Sequence, residues 1–247
     1  MSKRVTISTL NKMKAAGEKF VMITAYDATF ARLVSEAGAE TILVGDSLGM
    51  VLQGHDTTVP VSIDDMAYHT ACVSRAKPHS LIVADMPFMS YDTPENALRS
   101  GMALMQAGAQ MVKLEGGIWL SDTIEMLVER GVPVCAHLGL TPQSVNVFGG
   151  YRVQGRTPKE AKSILADAVE IQDAGASLLV LECIPAPLAA DITRKLDIPV
   201  IGIGAGGGTD AQVLVLHDLL GLSEHPAKFV ENFMENNGSV QESLSAF

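Results

Sequence analysis

The sequence predicts an α/β fold, a (β/α)8 barrel with parallel strands inside and helices outside. The chain has 247 residues, of which 47% are hydrophobic and 19% charged, and a barrel of this kind needs a chain of about this length. Short apolar runs alternate with amphipathic stretches along the chain. The pattern Ala-Gly-Ala, then an apolar run ending in an acid, recurs at residues 37–46, 107–115 and 174–182.

The predicted strands are short, β-rich runs bounded by glycine, proline or acidic residues. They are expected near residues 20–25, 41–45, 80–84, 111–114, 133–137, 178–182 and 199–203, with a less distinct eighth near 213–217. Residues 204–212 are barely long enough for a parallel crossover, so an open doubly wound sheet stays the alternative. No linker divides the chain, which predicts one domain over residues 1–247.

Helices are predicted between the strands by apolar residues at helical spacing, as in Phe30–Ala37 and Ala161–Ala168. Helix starts are also marked. Thr157–Glu160 (TPKE) combines an N-cap, a proline at the first helical position and a capping acid, and Thr93-Pro94 and Ser62–Asp65 are similar.

Two predicted connections, residues 47–61 and 138–157, are unusually long. Both follow the carboxyl ends of strands, where α/β folds place their sites, so we expect binding loops or lids there. In the second, Phe148–Tyr151 (FGGY) contains two glycines that permit hinge movement.

The charge and the apolar pattern limit the classes of partner. With 18 basic and 28 acidic residues the net charge is −10, which argues against a nucleic-acid or anionic membrane surface. No stretch is apolar enough to span a membrane, and the first eight residues lack the apolar core of a secretory signal. Cys72, Cys135 and Cys183 form neither a disulfide framework nor a zinc motif. We therefore expect a cytoplasmic protein.

Four acids and a histidine end different predicted strands: Asp46, Asp85, Glu115, His137 and Glu182. The carboxyl ends of parallel strands share one rim, so these side chains should converge there. A single acid at a strand end often only caps the next helix, but clustered carboxylates repel each other unless a cation joins them. Oxygen donors without thiolates favour Mg²⁺ over Zn²⁺.

Two glycine-containing motifs point to other functions. Gly45–Gly49 (GDSLG) matches the nucleophile elbow of α/β-hydrolases, but Met50–Pro60 lacks the helical period that must follow an elbow. Gly202–Gly207 (GIGAGG) matches a dinucleotide-binding fingerprint, but no βαβ unit follows it. We interpret this second loop as close packing at the rim, with a phosphate site as the alternative.

Several segments together resemble the ketopantoate hydroxymethyltransferase family, over about residues 6–233. They are Val44–Met50 (VGDSLGM), Gln53–Asp56 (QGHD), Ala84–Met89 (ADMPFM), Val112–Gly117 (VKLEGG), His137–Ser144 (HLGLTPQS), Phe148–Tyr151 (FGGY) and Leu181–Cys183 (LEC). The loop Gly206–Asp210 (GGGTD) departs from the family by its additional glycines.

The resemblance implies a (β/α)8 TIM barrel, a Mg²⁺ site and a homodecamer. By position, Asp46 and Asp85 would be metal ligands, and Glu115 would bind the metal directly or through water. Members of the family transfer a one-carbon unit from 5,10-methylenetetrahydrofolate to 3-methyl-2-oxobutanoate. The products, 2-dehydropantoate and tetrahydrofolate, place the reaction in pantothenate biosynthesis.

The resemblance also implies roles toward the keto acid. The contacts would come from Asp46, Ser47, Asp85 and Lys113, and Glu182 would accept the proton. Our hypothesis is that the keto acid chelates Mg²⁺ and that Glu182 removes the C3 proton to give an enolate. Lys113, otherwise an ordinary ion-pair residue, would hold the substrate carboxylate, and His137 would position either the substrate or Glu182.

Two further functions stay open. One is a Mg²⁺-dependent 2-oxo acid lyase or mutase of the same barrel type. Such lyases commonly use a reactive cysteine in a mobile loop, and neither long connection contains a cysteine. The other is a barrel that binds a metal or ligand without catalysis.

Overall fold

Eight parallel strands form a closed barrel in chain order in this computed structural model, which describes residues 4–247. Each strand pairs with the next, and the eighth pairs with the first. The strands are β1 Phe20–Thr24, β2 Thr41–Val44, β3 Leu81–Asp85, β4 Met111–Glu115, β5 Val134–Gly139, β6 Leu178–Glu182, β7 Val200–Ile203 and β8 Ala211–Leu214. The predicted barrel is confirmed, and the open sheet is wrong.

Eleven α-helices accompany the strands within residues 4–247. They are α1 Ile7–Ala16, α2 Ala28–Ala37, α3 Leu48–Val51, α4 Ile63–Arg75, α5 Pro94–Ala107, α6 Ser121–Glu129, α7 Val145–Phe148, α8 Pro158–Asp173, α9 Ala186–Lys195, α10 Leu216–Leu219 and α11 Val240–Ala246. The predicted helix starts are confirmed. Ser62 and Thr157 each cap their helix in a reciprocal box with the acid three residues later, and Thr93 caps α5 ahead of Pro94.

The last crossover differs from its prediction. The eighth strand covers Ala211–Leu214 instead of residues 213–217, and residues 204–210 reach it without a helix. Seven residues can span at most about 23 Å, against roughly 13 Å for the length of a four-residue strand, so the bends and the turn of this connection can reach β8 without a helix. Asp210 fixes the end of this connection, because its carboxylate accepts hydrogen bonds from Lys14 Nζ at 2.7 Å and from the Val200 amide at 2.9 Å.

Two hydrophobic layers lie on the two faces of the sheet. On β4, Met111 packs inside the barrel, whereas Val112 and Leu114 pack between the sheet and the helices. The side chain of Leu10 on α1 joins the interior layer and is fully buried. The polar residues Lys113 and Glu115 alternate with Val112 and Leu114, so they face the barrel interior near its carboxyl edge.

The two long connections lie together at that edge. The first contains α3, and the second contains α7 after a short 3-10 turn at Pro142–Ser144. Tyr151 in the second donates from its hydroxyl to Met50 Sδ in the first, at 3.5 Å. Gly149 and Gly150 have positive φ angles of 67° and 116°, a backbone region that glycine adopts readily.

Helices of residues 4–247 are all too short or too polar to cross a membrane. The described residues do not include Met1–Lys3. These residues begin the segment in which we expect no secretory signal. That expectation and the single domain over residues 1–247 stay predictions.

Candidate active site

A cavity of about 790 Å³ opens at the carboxyl ends of the strands. Every residue that the sequence analysis assigned to a site contributes to its lining: Asp46, Ser47, Asp85, Lys113, Glu115, His137 and Glu182. They come from the ends of β2 to β6, as the strand pattern predicts. Their convergence is therefore a property of the barrel, because the chain separates the first and last of them by more than half its length.

Strand register places the charged residues beside one another. Asp85 on β3 is the register partner of Lys113 on β4, and Glu115 on β4 is the partner of His137 on β5. Lys113 Nζ lies 3.0 Å from Asp85 Oδ1, and His137 Nδ1 lies 3.2 Å from Glu115 Oε1. The strand register therefore forms two neighbouring ion pairs on one face of the sheet, Asp85–Lys113 and Glu115–His137.

Lys113 is the centre of the cluster. Its Nζ also lies 3.6 Å from Glu115 Oε1 and 3.4 Å from His137 Nδ1. Burial alone would lower the pKa of Lys113, but Asp85 and Glu115 outweigh it and raise that pKa above the usual range. The ammonium group is therefore charged at neutral pH, and it is a fully enclosed cation instead of a surface ion pair.

Glu115, His137 and Glu182 follow one another across the cavity. His137 Nε2 lies 3.2 Å from Glu182 Oε2, close enough for electrostatic attraction but outside hydrogen-bond geometry. Burial and Lys113 lower the pKa of His137, whereas Glu115 and Glu182 raise it, and the result is about 9. The side chain of Glu182 is 15% exposed, against 2% for Glu115, so Glu182 is the more accessible of these two carboxylates.

Asp46 and Asp85 lie next to each other. The Asp46 amide donates to Asp85 Oδ2 at 3.0 Å. Burial raises the pKa of both carboxyls, and the negative charges of Asp85 and Glu115 raise that of Asp46 further. Two adjacent buried carboxylates therefore disfavour ionisation unless positive charge is added beside them.

Gln143 is a site residue that the sequence analysis missed. Its Nε2 donates to Asp46 Oδ2 at 2.8 Å and to the Met86 carbonyl at 2.9 Å, and its backbone amide donates to Glu115 Oε2 at 3.0 Å. Its Oε1 accepts from the Tyr91 hydroxyl at 2.6 Å. Gln143 belongs to the quoted segment His137–Ser144, but it lies in a turn, where no sequence period reveals the direction of a side chain.

The donor set fits Mg²⁺. Within residues 4–247 no three His, Cys, Asp or Glu side chains converge closely enough to enclose a metal by themselves. Mg²⁺ commonly takes one or two carboxylates and completes its shell with water and substrate. Asp85 Oδ1 is buried beside Asp46 and makes no hydrogen bond of good geometry, although Lys113 Nζ lies 3.0 Å away, so a bound ion would share this oxygen with the ammonium group. Both oxygens of Glu115 already have partners, which favours contact through water.

Comparison with known proteins identifies the family. The family model described as ketopantoate hydroxymethyltransferase matches residues 4–247. The chain belongs to this family. The resemblance predicted from the sequence motifs is confirmed, and so is the prediction of a transferase.

Curated members of the family match over almost the whole chain. A "3-methyl-2-oxobutanoate hydroxymethyltransferase 2" from Pseudomonas entomophila is 60% identical over 245 residues, which are 98% of this chain and 92% of the relative. The "3-methyl-2-oxobutanoate hydroxymethyltransferase" of Marinobacter nauticus is 60% identical over 244 residues, with the same shares.

Solved structures with much lower sequence identity share the barrel fold. A putative lyase/mutase from Burkholderia cenocepacia is 20% identical with a TM-score of 0.65, covering 84% of this chain and 80% of its own. A 2,3-dimethylmalate lyase is 17% identical with a TM-score of 0.62 and the same coverage. At these identities the likeness shows the fold alone.

The hydrolase interpretation fails on geometry. A helix does follow Ser47, contrary to our expectation, but α3 has only four residues. The Ser47 hydroxyl is hydrogen-bonded to the Tyr26 hydroxyl at 2.9 Å instead of to a histidine. Ser47 also has right-handed helical angles, φ −51° and ψ −19°, whereas a nucleophile elbow is strained.

The glycine-rich loop packs closely, as interpreted. The element after Gly202–Gly207 is strand β8 and not a helix, so the loop lacks the helix N-terminus on which a dinucleotide phosphate rests. A Cβ at Gly206 would come within 2.5 Å of Ala186 Cβ on α9, and one at Gly208 within 2.9 Å of Ala190 Cβ. The added glycines thus let the helix-free crossover lie against α9.

The cysteines do not match the thiol expected of a lyase. Burial raises the pKa of Cys135 to about 12 and that of Cys183 to about 11, so both are protonated at neutral pH. Cys72 lies on the helix α4 and belongs to neither long connection.

Proposed function

We propose that the protein transfers a one-carbon unit from 5,10-methylenetetrahydrofolate to 3-methyl-2-oxobutanoate. Water supplies the hydroxyl oxygen, and the products are 2-dehydropantoate and tetrahydrofolate. One observation supports the chemistry most directly. A buried pair of carboxylates, Asp46 and Asp85, lies in the same cavity as the Lys113 ammonium and the more exposed Glu182. The names of the curated relatives supply the substrate class.

Asp46 and Asp85 would hold Mg²⁺, with Glu115 contributing through water. The bound ion would supply Lewis-acid stabilisation of negative charge on the keto oxygen. Seven acidic residues line the cavity, and Asp46, Asp85, Glu115 and Glu182 are the four that lie around Lys113 and His137. Lys113 is the only lysine or arginine in this lining within residues 4–247, and His137 with its raised pKa adds at most one further positive charge. A divalent ion therefore offsets charge that the described residues leave unbalanced.

Lys113 and Ser47 would bind the keto acid. The Lys113 ammonium is charged and enclosed, so it attracts the substrate carboxylate strongly. The Ser47 hydroxyl is hydrogen-bonded to the Tyr26 hydroxyl, which would orient it toward the keto acid. Two fixed contacts at one end of the substrate would leave its C3 facing the rest of the cavity.

Glu182 would act as the base. It would accept the proton from C3, next to the carbonyl, and C3 would then form the new bond to the methylene carbon. Both bonds from the methylene carbon to the folate nitrogens N5 and N10 would break, one replaced by the bond to C3 and the other by the hydroxyl of water. The C3 proton and the second proton of water would go to the two nitrogens. His137 lies 3.2 Å from Glu182 and would limit the directions in which its carboxylate can point. His137 is thus a positioning residue in this proposal.

Proton exchange tests the base separately from folate. The protein is incubated with 3-methyl-2-oxobutanoate and Mg²⁺ in D₂O without folate, and loss of the C3 proton is followed by NMR. Glu182→Gln should lower the rate at least 100-fold, since general-base catalysis contributes about 10²–10⁴-fold. Glu170→Gln, an exposed change on α8, is the matched control. Equal rates for Glu182→Gln and the unaltered protein would reject the assignment.

A runner-up function is a Mg²⁺-dependent 2-oxo acid lyase or mutase. Its only support is the shared fold, and no observation in the cavity favours it over transfer. Cleavage of a carbon–carbon bond in a 2-oxo acid without folate would support it.

We also propose a cytoplasmic homodecamer that binds neither nucleic acid nor membrane. Exposed apolar side chains on the barrel, including Trp119 at 64% and Val147 at 86%, support burial against other copies. Sedimentation at micromolar concentration should give a species ten times the chain mass. A stable monomer would contradict this assembly.

A further inference from the structure

The cavity is larger than the keto-acid end requires. Its volume of about 790 Å³ lies in the range of sites for drug-sized ligands, about 300–1,000 Å³. A five-carbon acid held by Lys113 and Ser47 would fill only the part beside β2 to β4. The remaining space is bounded by residues that neither the motifs nor the relatives assign to a role.

The unassigned side is formed by the end of β8 and the segment after it. We name it the β8 wall, and its lining includes His217, Asp218, Leu222, Glu224, Ala227 and Phe229. Leu222 and Phe229 are 63% and 41% exposed, although they face a cavity. Apolar side chains exposed in a concave site are typical of a surface that a ligand covers.

The charge of the wall selects the chemistry of that ligand. The charged side chains in its lining are the carboxylates of Asp218 and Glu224, and Lys228 of the same segment is exposed outside that lining, which within residues 4–247 includes no lysine or arginine on this side. An anion is therefore disfavoured, whereas a neutral ring that carries N–H donors is favoured. The Ser223 hydroxyl already donates to Asp218 Oδ1, so Glu224 is the better acceptor for a ligand.

The wall is fixed to the barrel at two points. A Cβ at Gly204 would lie 2.7 Å from Phe229 Cδ1, so the missing side chain lets the Phe229 ring lie over the end of β7. The His217 ring packs against Tyr26 with centroids 5.7 Å apart, and Tyr26 is hydrogen-bonded to Ser47 on the keto-acid side. The two halves of the cavity are therefore in contact.

We infer that the β8 wall binds the reduced pteridine ring of the one-carbon donor, with Phe229 and His217 against the ring and Glu224 accepting from its amino and N–H groups. This inference rests on the proposed function. It places the folate opposite Lys113 and Glu182, so the methylene group and C3 of the keto acid would meet in the middle of the cavity. The anionic tail of the folate would extend toward the cavity opening.

The test uses the full-length protein and variants of the wall. Glu224→Gln and Phe229→Ala should each raise the KM for 5,10-methylenetetrahydrofolate at least 10-fold and weaken tetrahydrofolate binding in calorimetry by a similar factor. Folate-free C3 exchange of the keto acid should stay within twofold of the unaltered protein, which also shows that the variants are folded. Glu231→Gln, an exposed acid beyond the cavity lining, is the matched control.

The outcomes separate the two proposals. If the unaltered protein performs transfer and Glu224→Gln changes neither KM nor tetrahydrofolate binding, the inference on the wall is wrong and the proposed function stands. If the unaltered protein neither binds tetrahydrofolate nor performs transfer, both are wrong. A loss of C3 exchange in Glu224→Gln would place this residue at the keto acid and would also overturn the inference.

Discussion

Gln143 joins two of the acids that flank the candidate metal site: its side-chain amide donates to Asp46 Oδ2 at 2.8 Å, while its backbone amide donates to Glu115 Oε2 at 3.0 Å. The Tyr91 hydroxyl donates to Gln143 Oε1 at 2.6 Å and so fixes which end of the amide faces Asp46. One residue of a turn therefore sets the directions of carboxylates from two different strands. The same bonds lower the pKa of both acids and oppose the effect of burial.

Gln143→Leu should weaken metal binding. Asp46 would lose the bond that orients it, and loss of such supporting contacts commonly costs about 10–100-fold in metal affinity. We expect the Mg²⁺ concentration for half-maximal C3 exchange to rise by that factor, with a smaller change in the rate at saturating Mg²⁺. Gln241→Leu, on α11, is the control. Equal Mg²⁺ requirements would show that Gln143 is only structural.

Lys113→Met should destabilise the metal-free protein. Removal of one partner from a buried ion pair costs about 3–5 kcal/mol, and here Asp85 and Glu115 would both lose their cation. Chemical denaturation at pH 7.5 measures the change. Lys162→Met, an exposed lysine on α8, should alter stability by less than about 0.5 kcal/mol. A change in Lys113→Met as small as in this control would contradict the proposed charge balance.

Asp46→Asn should stabilise the protein when Mg²⁺ is absent and abolish stabilisation by Mg²⁺. The substitution removes a buried negative charge beside Asp85, and the Asn oxygen can still accept from Gln143. Asp85→Asn should not stabilise, because it breaks the ion pair with Lys113. Thermal unfolding with EDTA and with Mg²⁺ gives both values. In the double variant Asp46→Ala, Asp85→Ala, unchanged Mg²⁺ affinity would refute the ligand assignment.

Gly139→Ala should disturb both stability and proton exchange. Gly139 has φ +91°, and a Cβ there would lie 2.2 Å from the Glu182 carbonyl oxygen, so the end of β6 must shift. Gly131→Ala is a matched control, since Gly131 has φ +81° but no atom within 4 Å of the added Cβ. It isolates the backbone strain, about 1–3 kcal/mol. If both variants lose the same stability and both exchange the C3 proton at the normal rate, the contact between position 139 and Glu182 has no effect on stability or on exchange.

Cys183 should react slowly with iodoacetamide at pH 8. Burial and the Glu182 charge raise the pKa of Cys183 from 9.0 to about 11, so the reactive thiolate fraction falls roughly 100-fold at this pH. The rate should rise with pH up to about 11, as the thiol loses its proton. Peptide mass spectrometry distinguishes Cys183 from Cys72. A rate that levels off near pH 9 would contradict the expected shift.

The sequence by itself determined the barrel and the residues on its rim. Acids at the ends of short apolar runs predict the candidate site, because parallel strands bring their carboxyl ends to one edge whatever their separation in the chain. Asp46, Asp85, Glu115, His137 and Glu182 were all found in this way and all line one cavity. The helix caps at Ser62 and Thr157 were also predictable from the sequence, because their hydrogen bonds join residues only three positions apart.

Tertiary structure alone decided which atoms face each other. The contacts of Gln143 depend on the path of a turn. The β8 wall depends on an irregular segment that packs against Gly204 and that no sequence periodicity predicts. The eighth strand was misplaced because the crossover of bends and a turn over residues 204–210 needs no helix when its glycines can lie against a neighbouring helix. Local periodicity records burial and hydrogen bonds within an element, whereas contacts between irregular segments arise only when distant residues are packed together.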